Sequence, residues 1–197
     1  MSRKERLTRS LESELKTRAE QEGDMTIEGY FAVFNKETEL FRGAFEEIDS
    51  GAFDATLGND IRALINHDTS LVLGRNKAGT LQLKTDSYGL WGSIKINGSD
   101  MDAVNLYERV KRGDVDQCSF GFDIVSEETE FRDDGTIKWK IKEIELHEVS
   151  VCTFPAYEDT GVQARHRDIE QYKAKEIETR KAKILRRLQD VKTVNDR

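Results

Sequence analysis

DVDQCSFGFDIV, residues 114–125, alternates apolar and polar side chains with the period of two that is typical of a β-strand. The segment RDDGT (132–136) then predicts a hairpin turn, since Asp-Gly readily takes positive φ, and residues 137–154 return as a second long strand. A strand of this length predicts a bulge or bend within it. The first strand has an apolar face and a polar face, formed by Cys118, Phe120, Phe122 and Ile124 and by Gln117, Ser119, Gly121 and Asp123. A long hairpin of this kind indicates a mainly β protein.

Short strand patterns account for most of the remaining body. A helix is predicted at 99–113, a helix of one or two turns at 50–58, and 12–20 gives a hint of an edge strand. This mixture predicts a mainly β fold with helices: a mostly antiparallel β-barrel or strongly curved sheet, decorated by short helices. The strands that we predict before the central hairpin are 25–35, 61–67, 80–85 and 89–96, with a further short strand in the residues after His67.

Both predicted helices are flanked by residues that are typical of helix ends. In 99–113, Ser99 with Asp102 resembles a capping box, and Gly113 stands where a C-terminal cap belongs. In 50–58, Ser50 is the predicted N-cap and Gly58 the stop. The longer helix has an inward apolar stripe of Ala103, Leu106, Tyr107 and Val110.

Charge is unevenly distributed along the 197 residues. The net charge is −7 overall, but residues from Arg165 onward carry +5, which leaves −12 on residues 1–164. An acidic body argues against a domain that binds nucleic acid, and no apolar run is long enough for a membrane span or a secretory signal. We predict a charged N-terminal segment (1–22), a body (23–165) and a basic helical tail (166–197) that docks on a partner, although a solvated helix without a partner fits the charge equally well.

Several kinds of site lack support in the sequence. Cys118 and Cys152 both lie in apolar runs and read as buried free thiols. The three histidines, His67, His147 and His166, have no ligand-like spacing, and no glycine-rich phosphate loop precedes a helix. We therefore expect neither a metal nor a cofactor.

Three residues could form a catalytic set. Ser119 lies on the polar face of an apolar strand, His67 ends the strand IRALINH, and Glu148 interrupts an otherwise apolar face of the return strand. A buried carboxylate needs a partner, and a histidine that acts as a general base is one such partner. Each residue alone also fits a purely structural role: Ser119 as a solvent-exposed hydroxyl, His67 as a packed, half-buried side chain and Glu148 as a surface glutamate.

The motifs IEGYFAVFN (27–35), FEEIDSGAF (45–53), LINHD (64–68), VDQCSFGF (115–122) and LHEVSVCTFPAYEDT (146–160) occur in this order. Together they resemble the tailed-phage prohead maturation proteases, which are distant relatives of the herpesvirus protease assemblin. The resemblance covers roughly residues 25–165 and implies an assemblin-type barrel. It also implies a serine endopeptidase enclosed in the procapsid within the host cytoplasm, which cleaves scaffold or the scaffold-like part of the major capsid protein, and often itself.

The resemblance implies a role for each candidate. His67 matches the general base and Ser119 the nucleophile; the third position falls on Glu148, while His147, one residue away on the opposite face, is the alternative. Backbone N–H groups near Phe120 and Gly121, or in the loop after Pro155, are the expected oxyanion donors. The family also implies self-association in the procapsid, and the tail from residue 166 is expected to recruit the enzyme to the scaffold or capsid interior. The alternative is a non-enzymatic capsid-interior scaffold or structural module of the same fold.

Overall fold

The structure is a computed structural model that describes residues 7–12, 15–19 and 25–154, together with the single residues 178, 181 and 184. The chain divides into two compact units, Met1–Glu158 and Asp159–Arg197. All elements discussed below belong to the first unit. The predicted basic tail lies outside the described residues, apart from the helical residues Glu178, Lys181 and Ile184, and stays a prediction.

The fold is mainly β, as the alternation in the sequence predicts. The described residues between Leu7 and Phe154 contain eleven strands, one α-helix and a single 3₁₀ turn at Asn76–Ala78. No helix in this part is long and apolar enough to cross a membrane. The strands are β1 (Leu7–Glu12), β2 (Lys16–Ala19), β3 (Met25–Val33), β4 (Thr38–Phe41), β5 (Ala44–Ile48), β6 (Arg62–Ile65), β7 (Asp68–Arg75), β8 (Leu81–Thr85), β9 (Gly89–Lys95), β10 (Gln117–Phe131) and β11 (Ile137–Cys152); the helix is α1 (Met101–Arg112).

The strands form two sheets that do not close into the predicted barrel. The larger sheet has the order β1-β10-β11-β5-β4, with β6 and β7 attached through β6 to β11, and the smaller sheet has the order β2-β3-β9-β8. The reason lies in β11, which pairs in parallel with β5 along residues 137–141 and then with β6 along residues 148–151. Because β11 pairs with two different strands along the same edge, the sheet branches at β11 and does not continue into a closed barrel. The other strand pairs are antiparallel.

The central hairpin has the predicted form. β10 and β11 pair antiparallel from Gln117↔Cys152 to Phe131↔Ile137, and Gly135 in the connecting turn has a φ of 83°. The register shifts at three points, so the predicted bulges are confirmed. On the outer part of β11, Lys138 and Lys140 pair with Glu47, and Lys142 pairs with Asp49. These ion pairs hold the hairpin against β5 and against Asp49, the residue that follows β5.

The helix is confirmed, although its cap differs from the prediction. Asp100, and not Ser99, is the N-cap, and its carboxylate accepts hydrogen bonds from the amides of Asp102 and Ala103. Gly113 ends the helix in the left-handed conformation, with a φ of 87°. The predicted inward stripe is buried in the core, where it joins the apolar faces of both sheets: Ala103, Leu106, Tyr107 and Val110.

The predicted helix at 50–58 is wrong. The segment is a run of turns in which every bond closes back only three residues, such as Ala52 N–H to Asp49 O at 3.0 Å and Thr56 N–H to Phe53 O at 3.1 Å. The Asp49 carboxylate, and not Ser50, accepts from the Gly51 amide. The buried side-chain hydroxyl of Thr56 accepts a hydrogen bond from the Leu146 amide at 2.8 Å. Hydrogen bonds of this kind between the turns and β11 hold the turns in place.

Three strands were not predicted, namely β1, β4 and β5. β1 is short and charged, and it forms the edge of the larger sheet beside β10. The weak strand pattern at 12–20 corresponds to β2, an edge strand of the smaller sheet. Residues before 23 therefore contribute a strand to each sheet.

Candidate active site

His67 lies in a two-residue hairpin turn. Asn66 and His67 connect β6 to β7 between the paired residues Ile65 and Asp68, and both have positive φ, 50° and 62°. This is the geometry of a type I′ turn, in which a non-glycine residue is uncommon and asparagine is the best tolerated. Asn66 also binds β11, since its amide donates to Val151 O at 3.1 Å and its side-chain oxygen accepts from the Thr153 amide at 2.8 Å. The turn therefore fixes the histidine against β11.

The imidazole of His67 meets the carboxylate of Glu148. Nδ1 of His67 and Oε1 of Glu148 lie 2.7 Å apart, and the glutamate side chain is only 6% exposed. The second carboxylate oxygen accepts from Ser150 Oγ at 2.6 Å, and Ser150 Oγ accepts from the His67 main-chain amide at 3.2 Å. His67, Glu148 and Ser150 thus form a closed set of contacts, two between side chains and one through the His67 main-chain amide, that orients the ring.

A β-bulge at His147 decides which way Glu148 points. Gly121 pairs with Glu148 and Phe122 pairs with Leu146, so His147 is the extra residue on β11. The bulge reverses the alternation, and the prediction that Glu148 shares a face with Leu146 is therefore wrong. Leu146 faces the core with Phe122, whereas Glu148 lies on the face of Gly121. His147 pairs with Asp123 instead, with Nε2 and Oδ2 3.1 Å apart.

Gly121 makes room for the carboxylate. A Cβ atom built on Gly121 would lie 2.3 Å from Glu148 Oε1, far inside any normal contact. The space beside its Cα is filled by Glu148.

Ser119 lies on the same face as this set. It pairs directly with Ser150 across the hairpin, and cross-strand partners of this kind have Cβ atoms about 4.5–5.5 Å apart. Ser119 is completely buried, and its hydroxyl donates to the main-chain oxygen of Arg9 in β1 at 2.9 Å. Nε2 of His67 is buried and has no hydrogen-bond partner within the described part of the chain. Ser119 and Glu148 therefore share one face of the hairpin, and the His67 ring contacts Glu148 there. The serine hydroxyl, however, donates its hydrogen bond to β1 and not to the histidine.

Cys152 is the other nucleophilic side chain on this face. Burial, together with the nearby charge of Glu148, raises the pKa of its thiol to about 12. The thiol therefore stays protonated and unreactive near neutral pH. Cys118 and Cys152 are both free and buried, as predicted.

One cluster on the hairpin brings together types of residue that bind metals. The side-chain ligand atoms of Asp123, Glu145 and His147 lie within 4.8 Å of one another. Glu145 is exposed and the other two are half-buried, and such groups are common on protein surfaces without an ion. The cluster alone does not identify a metal centre.

Four further residues near the site were not identified from the sequence. Ser150 holds Glu148 in place, and Asn66 holds His67 in place. Ser150 stands two residues after Glu148 and Asn66 directly before His67, and these spacings in the sequence could have indicated both supporting roles. Arg9 reaches the site only because β1 pairs with β10, and Glu46 only because Arg9 contacts it. No local pattern in the sequence predicts either contact.

Comparisons with known proteins agree on one family. The model of the caudovirus prohead serine protease family matches residues 13–175. The prohead protease of Enterobacteria phage HK97 is 31% identical over 142 residues, an alignment that covers 70% of this chain and 59% of the HK97 protein. The chain thus spans somewhat more than half the length of that relative. No solved structure gave a significant match.

Proposed function

Because the chain belongs to the caudovirus prohead serine protease family, we propose that it is a serine endopeptidase whose catalytic residues are Ser119, His67 and Glu148. The observation that carries the assignment is the contact of 2.7 Å between His67 Nδ1 and Glu148 Oε1, on the face of the hairpin that also holds Ser119. A carboxylate that binds one ring nitrogen leaves the other nitrogen free to take a proton, as in serine hydrolases in general.

Each residue then has a defined role. Nε2 of His67 takes the proton of the Ser119 hydroxyl as Oγ attacks the peptide carbonyl carbon, and returns it to the leaving amine. Glu148 keeps the proton of the neutral ring on Nδ1 and stabilises the imidazolium ion that forms. Ser150 holds the second oxygen of Glu148, so that the carboxylate cannot rotate away from the ring.

The oxyanion of the intermediate requires donors close to Ser119. We propose the main-chain N–H of Phe120, the residue after the nucleophile, as one donor. Phe120 is the direct antiparallel partner of Arg9, whose carbonyl oxygen Ser119 contacts. A donor on a rigid strand needs little reorganisation during the reaction.

The proposed substrates rest on the family membership and on the name of the HK97 relative. The HK97 relative is a prohead protease, and we propose that this chain likewise acts inside the procapsid in the host cell on the major capsid protein precursor or on scaffold, and on itself. Self-association in the procapsid and recruitment through the basic tail (166–197) belong to the same proposal.

Co-expression with the capsid precursor tests this function. The wild-type chain is expected to yield a shortened capsid protein, identified by N-terminal sequencing, and the Ser119→Ala variant is expected to leave the precursor intact. Ser126→Ala is the matched control, because Ser126 is an exposed serine on the same strand. An intact precursor with the wild-type chain would favour the alternative, a non-enzymatic capsid-interior module of the same fold, and wild-type processing by Ser119→Ala would contradict the role of Ser119.

A further inference from the structure

The edge strand β1 lies against the strand that carries Ser119. β1 pairs antiparallel with β10, so that Ser10 is opposite Ser119 and Arg9 is opposite Phe120. β1 is also the terminal strand of its sheet, with no other strand beyond it in the described order. An extended peptide that adds to a sheet edge binds in this way, through main-chain hydrogen bonds and through pockets for alternate side chains.

The peptide bond after Arg9 is next to the proposed nucleophile. Ser119 Oγ lies 2.9 Å from the Arg9 carbonyl oxygen, and the carbonyl carbon is one C=O bond, about 1.23 Å, from that oxygen. The carbonyl carbon is therefore at most about 4.1 Å from Ser119 Oγ, and the reaction requires the two atoms to approach to about 3–3.5 Å. β1 therefore lies along the hairpin as a substrate would, with the Arg9–Ser10 bond at Ser119.

The side chain of Arg9 enters a pocket on the other side of β1. Its Nε and Nη2 atoms donate to the two carboxylate oxygens of Glu46, at 2.5 and 2.9 Å, and the two side chains are only 8% and 4% exposed. The guanidinium carbon also lies 5.9 Å from the centre of the Phe122 ring. Beyond Arg9, Ser10 and Glu46, the pocket is lined mostly by apolar residues: Phe31, Ala32, Val33, Leu40, Ile48 and Phe120, with Thr38 and the exposed Lys36.

We propose that this pocket is the specificity site of the protease, that it selects an arginine immediately before the scissile bond, and that Arg9–Ser10 is a site of self-cleavage. The proposal rests on the function proposed above. A buried carboxylate that binds a guanidinium in an apolar pocket selects a basic side chain, because a neutral side chain cannot form this ion pair and an acidic one repels the carboxylate. The planar guanidinium binds both carboxylate oxygens at once, so arginine is favoured over lysine.

The self-cleavage step is an ordinary hydrolysis. Ser119 Oγ forms a bond to the Arg9 carbonyl carbon while its proton passes to His67 Nε2. The bond between that carbon and the Ser10 nitrogen then breaks, and the same proton passes to the nitrogen. Water hydrolyses the ester and restores the Ser119 hydroxyl, and departure of the segment that ends at Arg9 opens the edge of β10 for other substrates.

Cleavage of quenched fluorescent peptides by the full-length chain tests the proposal. The parent peptide contains LTRSLE, the sequence of β1, and its variants carry Lys, Gln or Glu in place of arginine. Cleavage is expected between Arg and Ser, with kcat/KM at least about 100-fold above that of the Gln peptide and about tenfold above that of the Lys peptide. In the Glu46→Gln enzyme the preference for Arg over Gln is expected to fall below about tenfold. Glu47→Gln is the matched control and should keep the preference, because Glu47 pairs with Lys138 and Lys140.

The chain itself and the capsid precursor provide readouts that do not depend on a Glu46 variant. Mass spectrometry of the wild-type chain should show a new N-terminus at Ser10, absent from Ser119→Ala, and the precursor should be cut after an arginine. Equal rates for all peptides, or Ser119-dependent cutting of the precursor after a different residue, would overturn the specificity site and leave the proposed function intact. Failure of the wild-type chain to cut both precursor and peptides would overturn both.

Discussion

Nδ1 of His67 and Oε1 of Glu148 lie 2.7 Å apart although the two residues are 81 positions apart in the sequence. A tight turn supplies the histidine, and a bulged strand turns the glutamate towards it. If Glu148 orients the ring, Glu148→Gln should lower kcat by about 10²–10⁴-fold with little change in KM, because the amide favours the wrong tautomer. Steady-state kinetics on a cleaved peptide measures this. Glu145→Gln, an exposed position on the same strand, is the control, and equal activity of both variants would refute the role of Glu148.

Gly121→Ala should displace the Glu148 carboxylate. The added methyl group would lie 2.3 Å from Oε1, so either the carboxylate or β10 must shift, and the contact with His67 is lost. We expect kcat to fall about 100-fold, since misplacement of a catalytic group by about 1 Å has an effect of this size. Gly58→Ala is the control, because a Cβ atom there meets nothing within 4 Å. Wild-type kcat in Gly121→Ala would show that the position of Glu148 does not matter.

Ser150→Ala should weaken both the site and the fold. The variant removes the donor to Glu148 Oε2 and the acceptor of the His67 amide, and both partners are left in a buried region. We expect a loss of about 1–3 kcal/mol in the free energy of unfolding, measured by urea titration, together with a lower kcat. Ser126→Ala should change neither quantity. A stable Ser150→Ala variant with full activity would mean that the serine does not support Glu148.

Asp49 should make stability depend on pH in the acid range. The hydrogen bond from Lys142, the Gly51 amide and the hydrogen bond from Lys140 hold the pKa of Asp49 well below its usual range. A carboxyl group whose pKa is lowered in the folded state stabilises the fold above the unfolded-state pKa, about 3.9, and this stabilisation is lost as the pH falls through the folded-state pKa.

Asp49→Asn should therefore lower the free energy of unfolding by about 1 kcal/mol at pH 7, and the difference from wild type should shrink as the pH falls below about 4. Urea titrations at several pH values measure this difference. Asp54→Asn, at an exposed neighbouring position, should show no such dependence. A constant difference between wild type and Asp49→Asn across the acid range would argue against an ionic contribution.

Local sequence patterns predicted the strands, turns and helix whose formation depends on neighbouring residues. The alternation around Ser119, the Asp-Gly turn and the apolar stripe of α1 each reflect a short repeat, and the structure contains the elements that they predict. The direction of Glu148 did not follow from alternation, because the bulge at His147 depends on pairing with β10. The predicted barrel failed for a similar reason, since β11 pairs first with β5 and then with β6.

The substrate-like position of β1 also lay beyond local reasoning. Six mostly polar residues, LTRSLE, have a weak strand pattern, and only their pairing with β10 brings Arg9 to Glu46 and its carbonyl group to Ser119. Pairing between strands that are distant in the sequence leaves no pattern among neighbouring residues, so it could not be predicted from local patterns. By contrast, the ordered motifs around His67, Ser119 and Glu148 were sufficient to indicate the family that the comparisons show.

The most direct test of catalysis is the rate at which the purified capsid precursor is cleaved by wild type, Ser119→Ala, His67→Ala and the double variant. If the serine and histidine act as one unit, each single variant should lose at least about 10³-fold, and the double variant should be no slower than the single ones. Cleavage by Ser119→Ala at a rate within tenfold of wild type would contradict the assignment of Ser119 as the nucleophile.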